Sequence, residues 1–247
     1  MSETDEHGDF RIVMPPDTCS YLPDEVSSLE YRISNTMTAE RFEELLARGW
    51  RRFANYYFRP ACPNCRKCRS LRVDVASFKP TKSQRRAMKK GEGVELQVRR
   101  PTATSEHIDL FNRYHADMHQ RRDWPHREIT AEEYVDGFLG YAAFGREYVY
   151  YYQGELIAVG LIDETPNASS SAYFYHAPEW RDKSIGTFSM VRELEVAKAA
   201  GRSYHYLGYW IRECGSMAYK NRYGPHELLA QYIGDHEQPE WSRPTHE

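Results

Sequence analysis

An α+β protein in two parts is what this sequence predicts, on three observations. Residues 147 to 210 read as hairpin, strand, amphipathic helix, strand: a parallel crossover set beside an antiparallel ribbon. Residues 17 to 100 hold short strands, crowded cysteines and a run of Lys and Arg. "RPTAT" at 100 to 104 separates the two patterns. The expected division is a small N-terminal cysteine-containing, basic domain at 1–100 and a mixed-sheet domain at 101–247.

The elements follow in order. Residues 1 to 16 are polar and end in "MPPD", so this segment is expected to be mobile. A helix is predicted over 38 to 48: Thr38 caps it, Phe42, Leu45 and Leu46 share a face, and Gly49 stops it. "WRRFANYYF" reads as a strand. So does "RSLRVDVASF", where Leu71, Val73 and Val75 alternate with polar residues. "TKSQRRAMKK" favours helix up to Gly91, and "VELQVRR" is strand-like. Helices are predicted over 105 to 118 and 130 to 140. "EYVYYYQGELIAVGLID" is two strands hinged at Gln153-Gly154, and "SSSAYFYH" is a third. "SIGTFSMVRELEVAKAAG" is a helix with Ser184 as cap, Phe188, Val191 and Leu194 as its buried stripe and Gly201 as its end. "SYHYLGYW" is a further strand, and "DHEQPEWSRPTHE" is expected to be a disordered tail. This order suits acyltransferases of the N-acetyltransferase type, one of several α+β arrangements the periodicity allows. There the donor lies where two neighbouring strands splay, beside the N-terminus of the crossover helix.

Bulk properties narrow the function classes. The 247 residues are 40% hydrophobic and 28% charged, with a net charge of −3. The balance is uneven: residues 59 to 100 hold thirteen Lys and Arg against Asp74, Glu92 and Glu95. A polyanion responds to that local field rather than to the global charge. No stretch of 18 apolar residues exists, so no membrane span is implied, and the acidic start "MSETDEHGDF" is not a secretory signal. Five cysteines, three of them within seven residues, suit a reducing cytoplasm and metal or redox chemistry rather than disulfides. No P-loop, G-x-G-x-x-G or H-E-x-x-H is present, so ATP and nicotinamide chemistry is unsupported.

Longer stretches carry a resemblance. "ELIAVGLIDETPNASSSAYFYHAPEW", "SIGTFSMVRELEVAK", "YLGYWIRECGSMAYKNRYGP" and "RPACPNCRKCRSLRVDVASFKPTKSQRR" resemble the aminoacyl-tRNA–protein transferases, and "CSYLP" at 19 to 23 resembles that family's N-terminal cysteine motif. The match runs from 17 to 229 in the family's order, and the compact length is similar to the bacterial aspartate/glutamate leucyltransferase branch. The resemblance implies a small N-terminal domain joined to an N-acetyltransferase-like domain. It implies transfer of leucine from aminoacyl-tRNA to the N-terminal amine of proteins beginning with Asp or Glu, marking them for N-degron proteolysis. Arginine as donor is the alternative. A non-catalytic RNA-binding module with a cysteine metal site is the alternative of another class.

Candidate residues follow from the two readings together. Cys62, Cys65 and Cys68 have metal-ligand spacing, with Cys19 as a distant fourth. Zinc, an iron–sulfur cluster and unliganded thiols are all open there, and the transfer itself requires no cofactor. Lys79, Lys82, Arg86, Lys89 and Lys90 form a strip without acids, which points to tRNA phosphates over a merely solvated face. Ser184 and Gly186 in "RDKSIGTF" echo an acetyltransferase phosphate loop and would offer backbone N–H groups to the donor. Gln84 and Arg85 in "SQRR", with Arg222 in "MAYKNRY", are expected to read the acceptor's carboxylate, Arg85 facing inward. Asp163, Lys220 and Tyr209 are the expected catalytic-cleft residues: Asp163 as a polar anchor for the donor, Lys220 and Tyr209 at the end of the last core strand.

Overall fold

The structure, a computed structural model, describes residues 2–5, 7–140 and 142–244. The first segment runs β1 (Ser2–Thr4), β2 (Phe10–Val13), β3 (Asp17–Thr18), β4 (Val26–Ser27), β5 (Leu29–Ile33), α1 (Ala39–Ala47), β6 (Arg51–Phe53) and β7 (Tyr56–Pro60). It continues with β8 (Arg69–Asp74), α2 (Lys82–Lys90) and β9 (Val94–Arg99). The second contributes α3 (Ser105–Arg122), α4 (Ala131–Tyr134), β10 (Gly145–Tyr152), β11 (Glu155–Glu164), β12 (Ala168–His176) and α5 (Ile185–Ala199). It ends with β13 (Tyr204–Trp210), α6 (Gly215–Ala218), β14 (His226–Leu229) and β15 (Trp241–Ser242).

Local chemistry explains most boundaries. Thr38 accepts a hydrogen bond from the Arg41 N–H and starts α1, as its position predicts. Thr81 and Gln84 form a full capping box on α2. The hairpin between β10 and β11 turns on Gln153 and Gly154, both at positive φ (51° and 84°), which suits the right-handed strand twist. Ser184 departs from expectation. It occupies the cap position of α5 with φ 64° and makes no side-chain cap; its carbonyl instead accepts from the Thr187 and Phe188 N–H groups. "WRRFANYYF" is a hairpin rather than one strand, because Ala54 takes φ 48° and turns β6 into β7.

Two sheets result. The smaller is antiparallel, in the order β1-β2-β5-β7-β6. The larger is mixed, in the order β15-β14-β8-β13-β12-β11-β10-β9. β8 and β9 precede residue 100 in sequence yet lie in this larger sheet, β8 between β14 and β13 and β9 at its edge. The expectation of a mobile start is corrected for the described residues, since β1 and β2 pair with each other and β2 with β5. The tail is corrected likewise: β15 pairs with β14, and the Trp241 indole donates to the Ala47 carbonyl. Residues 245–247 of that tail lie outside the described residues.

Three apolar clusters hold the sheets. One fills the space around β10, β11 and β12 with Tyr148, Val149, Tyr150, Val159 and Ile162. A second packs Leu71, Val73 and Leu207 under Val191 and Leu194 of α5. The third joins the two segments, setting Phe42, Leu46, Trp50 and Tyr57 against Phe144, Ala168 and Tyr206. A buried polar chain pins α5 to the central strands. Ser169 Oγ meets His205 Nδ1 at 2.8 Å, His205 Nε2 meets Glu193 Oε2 at 3.1 Å, and Ser189 Oγ donates to Glu193 Oε1 at 2.8 Å. No helix among the described residues is long and apolar enough to cross a membrane.

Candidate active site at the strand splay

β12 and β13 are the parallel pair. Their pairing lasts three residues, Ala168 to Ser170 against Tyr204 to Tyr206. Beyond it β12 follows β11 to His176, while β13 follows β8 to Trp210. The strands therefore part at Ser170. α5 begins beside β12, with Gly186 next to the Phe174 ring (3.8 Å from a Cβ built on the glycine). The first N–H groups of α5 have no side-chain cap, so the partial positive charge of the helix end faces outward there. The array Ser169–His205–Glu193 has the residue types of a hydrolytic triad, but all three are at most 2% exposed. It fixes strand to helix and is sealed from any substrate.

Two cations stand at the splay. Arg51 reaches in from β6 of the smaller sheet, half-buried. Its Nη1 donates to Ser170 Oγ at 2.8 Å and its Nη2 to the Ser171 carbonyl. Gly208 makes room for it: a Cβ at that position would lie 3.1 Å from the guanidinium carbon, and the backbone there sits at φ 81°. Lys220, in the 3₁₀ turn Tyr219–Arg222, is 8% exposed and donates to the Tyr209 carbonyl at 2.9 Å. Burial pulls the Lys220 ammonium down to about 7, and the positive charge of Arg51 adds to that. Burial also pulls Arg51 below the ordinary guanidinium range. Among the described residues neither cation has a carboxylate within ion-pair distance.

The cysteines converge on the same end of the molecule. The Cys68 thiol is pushed up to about 12, by burial first and then by Cys62, Cys19, Cys65 and Cys214. Burial and then Cys68 likewise raise the Tyr21 phenol, next to Arg51, Cys214 and Cys19. Cys62, Cys65 and Cys68 line a cavity of ≈ 570 Å³ with Arg59, Arg69 and Tyr232. The thiols are neighbours, yet among the described residues no three His, Cys, Asp or Glu side chains are set to share one ion.

The other expected site residues separate into three groups. The strip residues Lys79, Lys82, Arg86, Lys89 and Lys90 are exposed. α2 packs on α5 through Gly91 against Phe188, and Lys90 Nζ donates to the Asp182 carbonyl just before α5. The strip thus runs up to the mouth of the splay. Arg85 does not face inward: it is exposed, its guanidinium on the Pro80 carbonyl. Arg222 is exposed too, and its carbonyl accepts from Gln84 Nε2 at 3.2 Å. With its Oε1 on the Thr81 N–H, Gln84 has both amide groups committed to structure. Asp163 is not open to a donor, because Arg52 holds it (Nε to Oδ1 3.0 Å) and both are buried. Tyr209 turns its hydroxyl away to the Phe58 carbonyl at 3.0 Å and meets Lys220 only through its backbone. Arg51 was missed by reading the sequence. Its one signal was an arginine pair in an otherwise aromatic strand.

Known proteins resemble this chain along most of its length. The family model described as "Arginine-tRNA-protein transferase, N terminus" matches residues 17–86, and that described as "Arginine-tRNA-protein transferase, C terminus" matches residues 106–230. A Helicobacter hepaticus aspartate/glutamate leucyltransferase is 35% identical, over 90% of this chain and 93% of that one. A Campylobacter jejuni protein of the same name is 36% identical, over 86% of this chain and 90% of that one. Among solved structures, a GCN5-related glucosamine N-acetyltransferase region of a fungal multi-domain β-N-acetylglucosaminidase aligns at a TM-score of 0.45. That alignment has 14% identity, over 88% of this chain and 24% of that one.

Proposed function

The chain belongs to the arginine-tRNA-protein transferase family, and from that premise we propose that it transfers leucine from leucyl-tRNA to the N-terminal amine of proteins beginning with Asp or Glu. The relatives' name, aspartate/glutamate leucyltransferase, is matched along nine-tenths of the chain. The structural observation that carries the reading is the parting of the β12/β13 pair, with Arg51 and Lys220 beside it and the basic α2 packed on α5. The product carries a new N-terminal leucine, the kind of end that N-degron proteolysis reads. Charged tRNA is a cytoplasmic substrate, and the reaction belongs in that compartment.

In this reading Lys79, Lys82, Arg86, Lys89 and Lys90 track tRNA phosphates. The backbone at Ser184 and Gly186 receives the terminal nucleotide. The ester carbonyl then lies in the splay. The acceptor's α-amine nitrogen attacks the carbonyl carbon, the C–N bond forms, and the bond to the ribose oxygen breaks. The amine loses a proton and the ribose hydroxyl gains one, so the reaction balances without a co-reactant. The aminoacyl ester is already activated, so the chemistry calls for no cofactor. Lys220, with its ammonium drawn to about 7, is the group poised to take the amine proton at cytoplasmic pH. The Tyr209 carbonyl positions it. Residues 1–100 would supply the basic helix, the cysteine loop and Arg51; residues 101–247 would supply the splay and Lys220.

The test is transfer of labelled Leu or Arg from charged tRNA onto peptides beginning with Asp, Glu or Ala. Leucine on Asp and Glu peptides is the expected result. Arginine instead would reassign the donor, and tRNA binding without transfer would make the protein a binding module.

A further inference from the structure

We infer that Arg51 is the residue that recognises the side-chain carboxylate of the acceptor's N-terminal Asp or Glu. This rests on the transferase reading above and assigns its acceptor specificity to one side chain. Arg32, Arg52 and Arg59 belong to the same small sheet and are buried, and each holds a carboxylate: Asp235, Asp163 and Glu30 respectively. Arg51 holds none. Its two hydrogen bonds go to a serine hydroxyl and a backbone carbonyl. The acid that acts on it, Asp163, is already paired with Arg52. A half-buried guanidinium without a counter-charge is costly, and chains usually place an acid beside it. Here an acid would have to come from outside.

The geometry fits an N-terminal acidic residue. A guanidinium has five N–H groups, and two are taken by Ser170 and Ser171. Those two bonds hold the plane fixed where β12 and β13 part, and Gly208 lets it lie against the β13 backbone. The free N–H groups can meet both oxygens of a carboxylate, a charge-assisted contact. In Asp the α-amine is two carbons from the carboxyl carbon, and in Glu three. A carboxylate seated on Arg51 therefore holds the amine where β12 and β13 part, and Lys220 is bonded to the backbone of that same β13. Asn and Gln keep the size but present an amide N–H₂ to a cation, leaving both donors unpaired. The cations proposed from sequence do not compete for this role, since Arg85 and Arg222 are exposed on the outer surface.

The experiment compares wild type, Arg51→Gln, Arg51→Lys and Ser170→Ala on peptides that differ only in their first residue: Asp, Glu, Asn, Gln or Ala. Both leucine transfer from charged tRNA and peptide binding without tRNA are measured. Wild type should prefer Asp over Asn by roughly tenfold to a hundredfold. Arg51→Gln should bring that ratio near one, chiefly through KM. Arg51→Lys should restore part of it, and Ser170→Ala, which frees one of the two orienting bonds, should lower it severalfold in a folded protein. Preserved preference in Arg51→Gln overturns the assignment. So does an equal fall on Asp and Asn peptides, or a matching loss of tRNA affinity, which would make Arg51 an oxyanion or phosphate contact. A wild type that transfers leucine to no peptide refutes the transferase reading, while the binding ratios still decide the role of Arg51.

Discussion

At the scale of single residues, the buried cations carry the testable chemistry. Lys220 has a folded pKa of about 7 against an ordinary 10.5. Between those values the unfolded chain keeps a proton that the folded chain has released. Folding stability from this group therefore rises with pH from about 7, by at most about 1.4 kcal/mol per unit. Lys220→Met should stabilise the protein near neutral pH, with a gain that shrinks as pH rises from about 7 toward 10.5; urea midpoints at several pH values measure it. The same variant should lower kcat by about 10²–10⁴-fold if Lys220 takes the amine proton. Unchanged turnover would remove it from that role. Asp163 answers differently. Replacing it with Ala leaves Arg52 buried and unpaired, so a loss of about 3–5 kcal/mol is expected in denaturant titration. An Asp163→Ala protein that folds with wild-type stability would show that Arg52 finds other partners.

At the scale of elements, α2 does two jobs. Its buried side, Gln84 and Ala87, joins it to the turn that carries Lys220, through the Gln84 bond to the Arg222 carbonyl. Its outer side is the basic strip. Thr81→Ala removes the cap and should cost about 1 kcal/mol of stability, read from thermal unfolding. Replacing Lys82, Arg86 and Lys89 with Gln should leave the fold intact and lower the slope of log tRNA affinity against log salt, by about 0.7–0.9 for each phosphate no longer neutralised. The same slope in the folded variant would place the tRNA footprint elsewhere.

At the scale of the whole molecule, the two segments share one sheet. β8 lies between β14 and β13, and the third apolar cluster sets α1 residues against Phe144 and Tyr206. Removing residues 1–100 would strip β8 from the middle of the sheet, expose Leu207 and Leu228, and take Arg51 out of the splay. The excised 101–247 segment is therefore expected not to fold cooperatively, while the full chain should unfold in a single transition. Circular dichroism on both checks this, and a well-folded 101–247 fragment would contradict it.

Much of the architecture was legible in the chain because its signals are local. The cap at Thr38, the Gln153-Gly154 turn and the period-2 strands each depend on neighbours within a few residues; the amphipathic face expected of α5 is absent, because the helix is buried on most sides between the sheet and α2. The family motifs are also contiguous strings, so the transferase reading needed no tertiary structure. The roles of individual cations were not legible, because they depend on what lies across the fold. Arg85 and Arg51 look alike in sequence. One lies on the outer face of α2; the other is drawn between two parting strands, where a glycine more than 150 residues away leaves room for it. Likewise Asp163 reads as an open acid until β6 brings Arg52 beside it. Periodicity and capping determined where the strands and helices lie. Only tertiary packing decided which charges were paired, because pairing follows distance in space, and partners such as Arg52 and Asp163 or Arg32 and Asp235 lie 111 and 203 residues apart in the chain.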